Sequence, residues 1–366
     1  MSSLTERTAA LLIADQAFAP GLPGFVGVDV DLLLDQPGLP GSLVESLAER
    51  PPLRHGFMTA RSARVVVVSG PPSPGIDAAD ARMAEDLPMP LPLLGGHRVA
   101  VLEEASDAVD PATAGGDAFG TATAGVRVGV EAGVDGDGPF GLRRRWESAH
   151  AIAPVLAAAF ANSPLRQGRP TGWRSVRQAL RRDLPPAPPG RDPRDAWTAL
   201  VMDAPVAGRP GQTFRQWSRS GAGQRPTVAD LTRHLRTLRP PVAARRYLEI
   251  DVADRQPGNG WRVPLAVIAV LLDDPNAAAA AQAATSGLAA TPRLWERAAR
   301  DGLTDPALAA AARDCFLAAY AALARHGVSR DLRDAVAGFT ERYVLRGRCP
   351  ADDVLDRATA RPLNPQ

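Results

Sequence analysis

The chain has 366 residues, and its 42 basic and 40 acidic side chains give a formal net charge of only +2. This charge creates no overall basic field that would favour nucleic acid or an anionic membrane as a partner. Every basic residue is arginine, which removes lysine from the candidate nucleophiles, Schiff-base formers and phosphate ligands. The two cysteines, Cys315 and Cys349, are too few for a disulfide framework and form no metal-ligand spacing.

The N-terminal segment "MSSLTERTAALLIADQAF" predicts an amphipathic helix. It carries acidic residues and lacks a continuous apolar core, so it does not have the pattern of a signal peptide. No apolar run approaches the length of a transmembrane span. We therefore expect a soluble, cytoplasmic protein with neither a membrane nor a nucleic acid as partner.

The next segment, "FVGVDVD" at 25–31, predicts an amphipathic strand. Alternation places Val26, Val28 and Val30 on one face, with Asp29 and Asp31 on the other. The stretch "TARSARVVVVS" ends in four valines, which predict a strand buried on both faces.

Two further segments repeat the amphipathic pattern. "VRVGVEAG" places Arg127 on the face opposite its valines, and "YLEIDVAD" places Tyr247, Glu249 and Asp251 opposite Leu248 and its apolar partners. If paired, these strands form one antiparallel sheet with a polar, largely acidic face. Helices would cover the apolar face, which predicts a compact unit of the α+β class.

Helices are predicted for "RRWESAHAIAPVLAAAFANSP", for two or three pieces of 276–325, and for "RDLRDAVAGFTERYVLRG". Three proline-rich and glycine-rich stretches, near 70–95, 184–194 and 205–226, predict loops or weakly ordered linkers. The expectation rests on proline, which disfavours both helix interiors and central strands.

The alternating acids allow two interpretations. They suit the solvated face of an antiparallel sheet, which the pattern alone favours. They also suit a magnesium site, because Mg²⁺ prefers hard oxygen ligands such as the carboxylates of Asp29 and Asp31.

One long segment, "AAAFANSPLRQGRPTGWRSVRQALRRDLPP", resembles the bacterial glutamate–cysteine ligases of family 2 that open ergothioneine biosynthesis. The similarity continues in "DPRDAWTALVMDAPV", "RPTVADLTRHLRTLRPPV", "YLEIDVADRQPGNGWRVPLAVIAVLLDDP" and "ERYVLRGRCPADD". It is specific from residue 142 onward. Before that residue it is carried by "FVGVDVDLLL", "VSGPPSPG" and "TATAGVRVGVEAG".

The resemblance implies a single ligase-like domain over 1–366, with the curved antiparallel sheet and outer helices of the glutamine-synthetase and glutamate–cysteine-ligase folds. It also implies a reaction. ATP phosphorylates the γ-carboxylate of glutamate, and the amine of cysteine or another small amine attacks the acyl phosphate to form γ-glutamylcysteine. ATP and Mg²⁺ are the implied cofactors, with Mg²⁺ bridging phosphate oxygens.

The resemblance also suggests roles for particular residues. Candidate metal ligands are Asp29, Asp31 and Glu249, and candidate catalytic groups are Arg61 and Arg127. Candidate substrate-binding or nucleotide-binding residues are Arg174, Arg177, Tyr247 and Asp251. Guanidinium groups suit carboxylates and phosphates because they bind such oxygens in bidentate fashion. A solvated helix face is an equal alternative for the two arginines of "GWRSVRQ".

The chain departs from the family pattern at this predicted site. Family members usually carry two glutamates in the segment that matches "TARSARVVVVS", where this chain has Arg61 and Val67. Arg127 stands in place of a glutamine, and Asp251 in place of an arginine. Two functional classes therefore stay open: an active ATP-dependent ligase, and a pseudoenzyme that keeps the fold to bind or regulate a protein partner.

These departures lead to an electrostatic prediction. Neighbouring carboxylates repel one another, and their burial is costly unless a cation lies between them. We therefore expect Arg61, Arg127 or both to point into the acidic face. They should lie within ion-pair distance of at least one member of the acidic set, which comprises Asp29, Asp31, Glu249 and Asp251.

Overall fold

The structure is a computed structural model that describes residues 3–35, 53–62, 64–108, 121–166, 169–181, 184, 192–221 and 225–360. Within these ranges eight strands form one antiparallel sheet, in the order β11-β12-β8-β1-β3-β2, with β4 and β5 also paired to β1. Its strands are β1 (Phe25–Leu34), β2 (Phe57–Ser62), β3 (Val65–Ser69), β4 (Ser73–Pro74), β5 (Val101–Leu102), β8 (Gly125–Val130), β11 (Val242–Ala244) and β12 (Leu248–Asp254). Two short hairpins are formed by β6 (Ser106–Ala108) with β7 (Thr121–Thr123), and by β9 (Leu165–Arg166) with β10 (Arg169–Pro170).

The α-helices of the described residues lie mostly after β8 in the chain. They are α1 (Glu6–Ala17), α2 (Ile76–Asp86), α3 (Pro90–Gly96), α4 (Leu142–Ala159), α5 (Val176–Ala179), α6 (Pro193–Asp203), α7 (Phe214–Ser218), α8 (Val228–Thr237), α9 (Arg262–Asp273), α10 (Pro275–Thr285), α11 (Leu294–Asp301), α12 (Pro306–Arg325), α13 (Arg330–Arg342) and α14 (Pro350–Ala360).

The predicted sheet is confirmed. All four predicted strands lie in it and pair antiparallel, and their alternate valines, leucines and isoleucines join the main hydrophobic core. Helix α9 packs on β8 and α4 packs on β12, so helices cover the apolar face. The predicted α+β class with an antiparallel sheet and outer helices is therefore correct, while one domain over 1–366 stays a prediction.

The central helix α9 explains how the core closes over the sheet. Every residue from Val263 to Leu272 is buried, so the helix is apolar on all sides and suits a fully enclosed position. Helix α12 is long and apolar enough to cross a membrane, and α9 with α10 would also pass as one bent span. Both helices pack against other helices of the core, but α9 is buried on all sides whereas α12 is buried along one side only.

The prediction of a loop near 70–95 is wrong over most of that range, because Ile76–Asp86 and Pro90–Gly96 are helices. The prolines lie where a helix tolerates them: Pro74 precedes α2, and Pro90 is the first residue of α3. The first helical turn has no intrahelical use for the missing N–H group, so proline there costs little.

The other two predicted loops differ in outcome. The stretch near 205–226 contains α7, which begins with a capping box between Thr213 and Gln216, so the prediction is wrong there. The stretch near 184–194 falls mostly outside the described residues, and Pro193 at its end already begins α6.

Candidate active site on the polar face of the sheet

The polar face is built by the alternation of β1, β8 and β12. Asp29 on β1 lies opposite Arg127 on β8 and opposite Ser69 on β3. Because successive side chains point to opposite faces of a sheet, Asp31 and Glu249 share this face while the intervening residues enter the core. The predicted acidic face therefore exists, and it already contains a cation.

Arg127 lies between the two aspartates of β1. Its Nη1 donates to Oδ1 of Asp31 at 2.9 Å, and its Nη2 and Nε donate to Oδ2 of Asp29 at 3.2 and 3.3 Å. The side chain is 3% exposed. Burial lowers the pKa of Arg127, but Asp31 and Asp29 outweigh it and hold that pKa well above its ordinary value.

Arg61 reaches the same face from two strands away. The register of β2 and β3 shifts between Ala60 and Ser62, so Arg61 lies at a β-bulge, an irregularity that re-aims a side chain. Its Nη1 donates to Oδ2 of Asp31 at 2.6 Å, and its Nη2 donates to the carbonyl of Thr123. The prediction that Arg61, Arg127 or both lie within ion-pair distance of these acids is confirmed, and it holds for both arginines.

Asp31 is a fully enclosed carboxylate of the face. It is fully buried, and it accepts hydrogen bonds from Arg61, from Arg127 and from the backbone N–H of Gly125 at 2.9 Å. Burial raises the pKa of Asp31, but Arg127 and Arg61 outweigh this effect and hold it below the ordinary value. Asp31 is thus ionised and committed to internal partners.

Asp29 differs from Asp31 although both lie on one strand. Its side chain is 27% exposed and pairs with Arg127 alone among the arginines of the described residues. Burial raises the pKa of Asp29, Arg127 opposes that rise, and Glu249 adds to it, so the pKa stays above its ordinary value. This carboxylate therefore lacks full charge compensation.

Asp251 is buried between two guanidinium groups from the segment that begins at α5. Arg177 and Arg181 both donate to its carboxylate, and Arg177 Nη1 also donates to the carbonyl of Ala253 at 3.2 Å. Burial raises the pKa of Asp251, but these arginines outweigh it and lower the pKa. A solvated position for Arg177 is wrong, since the residue is only 3% exposed.

Glu249 and Tyr247 form the outer end of this face. Arg245 Nε lies 3.5 Å and Arg239 Nη1 lies 4.0 Å from Oε1 of Glu249. The Tyr247 ring lies over Gly129, where an added β-carbon would be 2.8 Å from Cε2 of the ring. Burial and Glu249 raise the pKa of the Tyr247 phenol, so the hydroxyl is neutral at physiological pH.

The structure does not bring Arg174 to this group. Its Nε donates to Oδ1 of Asp352 at 2.9 Å, and its Nη1 donates to the carbonyl of Arg300 at 3.3 Å. Both contacts tie the segment before α5 to the C-terminal helices. A role for Arg174 in binding substrate or nucleotide stays a prediction.

Three arginines of the face were missed by the sequence interpretation: Arg181, Arg239 and Arg245. Arg181 follows Arg177 by four residues, a spacing that places two side chains on one helix face, so this pair could have been found. Arg239 and Arg245 flank β11, and no local pattern signals that their partner is Glu249.

A magnesium ion on Asp29, Asp31 and Glu249 does not fit the arrangement of these side chains. Both oxygens of Asp31 accept from guanidinium groups, which would repel a divalent cation beside them. Among the described residues, moreover, no group of three or more His, Cys, Asp or Glu side chains is placed to hold a metal ion. The assignment of these three residues as metal ligands therefore stays a prediction that the geometry does not favour.

A model of glutamate–cysteine ligase family 2 matches residues 105–364. The chain is 36% identical over 359 residues to glutamate–cysteine ligase EgtA of Mycolicibacterium smegmatis, covering 87% of this chain and 82% of that protein. It is 31% identical over 409 residues to glutamate–cysteine ligase EgtA of Mycobacterium tuberculosis (strain H37Rv), covering 98% of this chain and 91% of that protein.

Two solved structures are similar in fold. Glutamate–cysteine ligase of Francisella tularensis, in complex with AMP, has a TM-score of 0.55 at 13% identity and covers 94% of this chain and 86% of that chain. A bifunctional glutathione synthetase from Pasteurella multocida has a TM-score of 0.52 at 11% identity and covers 96% of this chain and 50% of that chain. Since the family model spans more than half of the sequence and the relatives match over most of their length, the chain belongs to glutamate–cysteine ligase family 2.

Proposed function

We propose that this protein is an ATP-dependent ligase that joins the γ-carboxylate of glutamate to the amine of cysteine. The observation that carries the proposal is the extended similarity to the glutamate–cysteine ligase EgtA of Mycolicibacterium smegmatis. The product would be γ-glutamylcysteine, used in the cytoplasm for ergothioneine or another low-molecular-weight thiol. Its partners would be small molecules rather than nucleic acid or membrane.

The reaction has two covalent steps. An oxygen of the glutamate γ-carboxylate attacks the γ-phosphorus of ATP, and ADP leaves, which gives an acyl phosphate. The amine of cysteine then attacks the acyl carbon, phosphate leaves with the former carboxylate oxygen, and the nitrogen loses a proton. Both steps develop negative charge on oxygen, so fixed positive groups on the polar face would accelerate them.

Arg61 and Arg127 are the proposed catalytic cations. Asp29 and Asp31 hold their guanidinium groups in place, so they need no reorientation as charge develops. Arg177 and Asp251 are buried against each other, which suits a positioning role that fixes β12 beside the reacting groups. Tyr247 is the proposed substrate contact at the outer end of the face.

A second candidate is favoured by one observation, the internal pairing of Asp31 with two arginines. A site whose carboxylates are satisfied within the protein could serve a pseudoenzyme that binds or regulates a partner. This candidate predicts no turnover from a folded protein.

The deciding experiment incubates the purified protein with ATP, Mg²⁺, glutamate and cysteine, and measures ADP release and γ-glutamylcysteine by mass spectrometry. We expect both products, and no dipeptide when cysteine is omitted. The variant Arg127→Met should lose turnover, whereas Arg233→Met should not, because the Arg233 side chain is 71% exposed and pairs only locally. Absence of product at high enzyme concentration, with folding confirmed by circular dichroism, would support the pseudoenzyme.

A further inference from the structure

The segment "RGRCPADD" belongs to the part of the chain that carries the family similarity, yet none of its side chains is among those described on the polar face. It leads into the C-terminal helix α14, where Asp352 is only 7% exposed. Its Oδ2 accepts from the backbone N–H of Cys349 at 2.9 Å, and its Oδ1 accepts from Nε of Arg174 at 2.9 Å. The C-terminal helix is therefore fastened to a residue three positions before Arg177.

The start of α14 also holds the loop that follows α4. The backbone N–H of Ala351 donates to the carbonyl of Ala161 at 2.9 Å, and both residues pack with Cys349 in a small buried cluster. This loop pairs with the segment of Arg174, because the N–H of Ser163 donates to the Arg174 carbonyl at 3.0 Å. Helix α14 therefore holds two neighbouring segments, one directly after α4 and one directly before α5.

The same two segments are also held by β12, a strand of the polar face. Asp254 at the end of β12 is fully buried, and it accepts from the hydroxyl of Ser163 at 2.7 Å and from the hydroxyl of Ser175 at 3.0 Å. Arg177 follows two residues later and donates to the carboxylate of Asp251 on the same strand. The segment that carries Arg177 is thus fixed between α14 and β12.

We propose that Arg174 and Asp352 form a clamp through which the C-terminal helix positions Arg177 against Asp251. The inference rests on the proposed ligase function for the reaction that this positioning serves. Arg174 is then a positioning residue, which acts through Arg177 and does not itself contact the substrates. A displacement of about 1 Å in a positioned group can lower a rate about a hundredfold, so loss of the clamp should be measurable as lost turnover.

The test is a double-mutant cycle on the purified protein. Arg174→Met removes the donors but keeps an unbranched apolar stem, Asp352→Asn removes the charge but keeps an acceptor for the Cys349 N–H, and a third protein carries both changes. Arg342→Met is the matched control. It breaks the pair between Arg342, whose side chain is 65% exposed, and Asp353 on the same helix α14.

We expect each single variant to lower kcat by about tenfold to a hundredfold, with the KM for ATP changed by less than about twofold. The double variant should fall no further than the slower single variant, because both changes break one interaction. Multiplying losses in the double variant, or a raised KM for ATP at unchanged kcat in Arg174→Met, would overturn the clamp. An equal loss in Arg342→Met would overturn it as well, since general loosening of α14 would then suffice.

A glycine substitution displaces the clamp without changing a charge. A β-carbon on Gly302 would lie 2.7 Å from Cδ of Arg174 and 3.1 Å from Sγ of Cys349, so Gly302→Ala must move these side chains. Gly327→Ala is its control, because Gly327 has a similar left-handed backbone, with φ 66° against 55°, and its added β-carbon meets open space. The kcat should fall in Gly302→Ala alone, and equal kcat in the two variants would contradict the proposal.

Hydrogen exchange read by mass spectrometry separates this inference from the ligase proposal, because it needs no turnover. Lost amide protection over 174–178 in Asp352→Asn, in a protein that releases no ADP, would keep the clamp and remove the ligase. An active protein in which Asp352→Asn changes neither kcat nor exchange over 174–178 would keep the ligase and remove the clamp.

Discussion

Asp29 and Asp31 stand two residues apart on β1, yet their surroundings shift the pKa values of the two carboxyls in opposite directions. Burial acts on both, but Asp31 has the nearby charges of Arg127 and Arg61 while Asp29 has Arg127 and the unfavourable Glu249. The number of guanidinium partners, rather than the depth of burial, decides which of the two carboxyls has the lowered pKa.

Removal of Arg127 should therefore be costly. The variant Arg127→Gln leaves the buried Asp31 with one cation fewer and Asp29 with none, and we expect it to lose about 3–5 kcal/mol of unfolding free energy. Urea denaturation monitored by tryptophan fluorescence measures the loss. Arg233→Gln, which removes an exposed i,i+3 pair, should change it by less than about 1 kcal/mol. A loss as small as the control's would contradict internal compensation.

A second prediction concerns pH and His150. Burial lowers the pKa of His150 from 6.5 to about 4, and the ring stays neutral against Trp146. Between pH 6.5 and 4 the imidazole is therefore protonated in the unfolded chain but stays neutral in the folded chain. The free energy of unfolding then decreases as the pH falls through this window, by up to about 3 kcal/mol.

The variant His150→Gln should show a shallower decline of the urea midpoint between pH 6.5 and 4 than the unaltered protein. His97, which is exposed, provides the control His97→Gln, whose profile should follow that of the unaltered protein. If His150→Gln keeps the full slope, burial of this imidazole is not the source of the acid sensitivity.

At the scale of elements, Asp–Pro pairs begin several helices of the α-helical region. Asp192, Asp274 and Asp305 each cap a helix whose first residue is proline, and each side chain accepts from a backbone N–H of the first turn. The aspartate accepts a hydrogen bond from a backbone N–H that has no partner within the helix. The proline has no N–H group, so it leaves no further donor unpaired. The cap at Asp305 separates two of the helices that the sequence predicts within 276–325.

The cap of α12 can be tested by two substitutions. Asp305→Ala removes the acceptor for the N–H groups of Ala307 and Leu308, together with the pair to Arg297, and should cost about 1–2 kcal/mol. Asp305→Asn keeps an acceptor oxygen and should cost less. Thermal unfolding measures both, and equal losses would assign the effect to the ion pair rather than to the cap.

At the scale of the whole molecule, the sheet gathers residues far apart in the chain onto one face. Strands that begin at Phe25 and end at Asp254 contribute to it, so a ligand bound across the face should stabilise the folded chain globally. We expect a non-hydrolysable ATP analogue with Mg²⁺, at 100 times its Kd, to add about 2.7 kcal/mol to the unfolding free energy. Adenosine, which lacks phosphates for the arginines to bind, should add much less, and equal effects would argue against phosphate recognition by this face.

The sequence by itself determined the four main strands, the polar identity of one sheet face, most of the helices and the family. These features are encoded in local alternation, in helical periodicity and in a long specific similarity, which do not depend on distant contacts. The helices of 70–95 were missed because proline was counted without its position relative to the first turn.

Only the tertiary structure decided which charges meet. Arg61 contacts Asp31 because a bulge in β2 re-aims it across two strands. Arg177 and Arg181 reach Asp251 from a segment that lies 74 and 70 residues earlier in the chain. The hydrogen bond from Arg174 to Asp352 likewise depends on how the helices are placed in space. Ion pairs depend on the distances between segments of the folded chain, and the spacing of residues along the sequence does not give those distances.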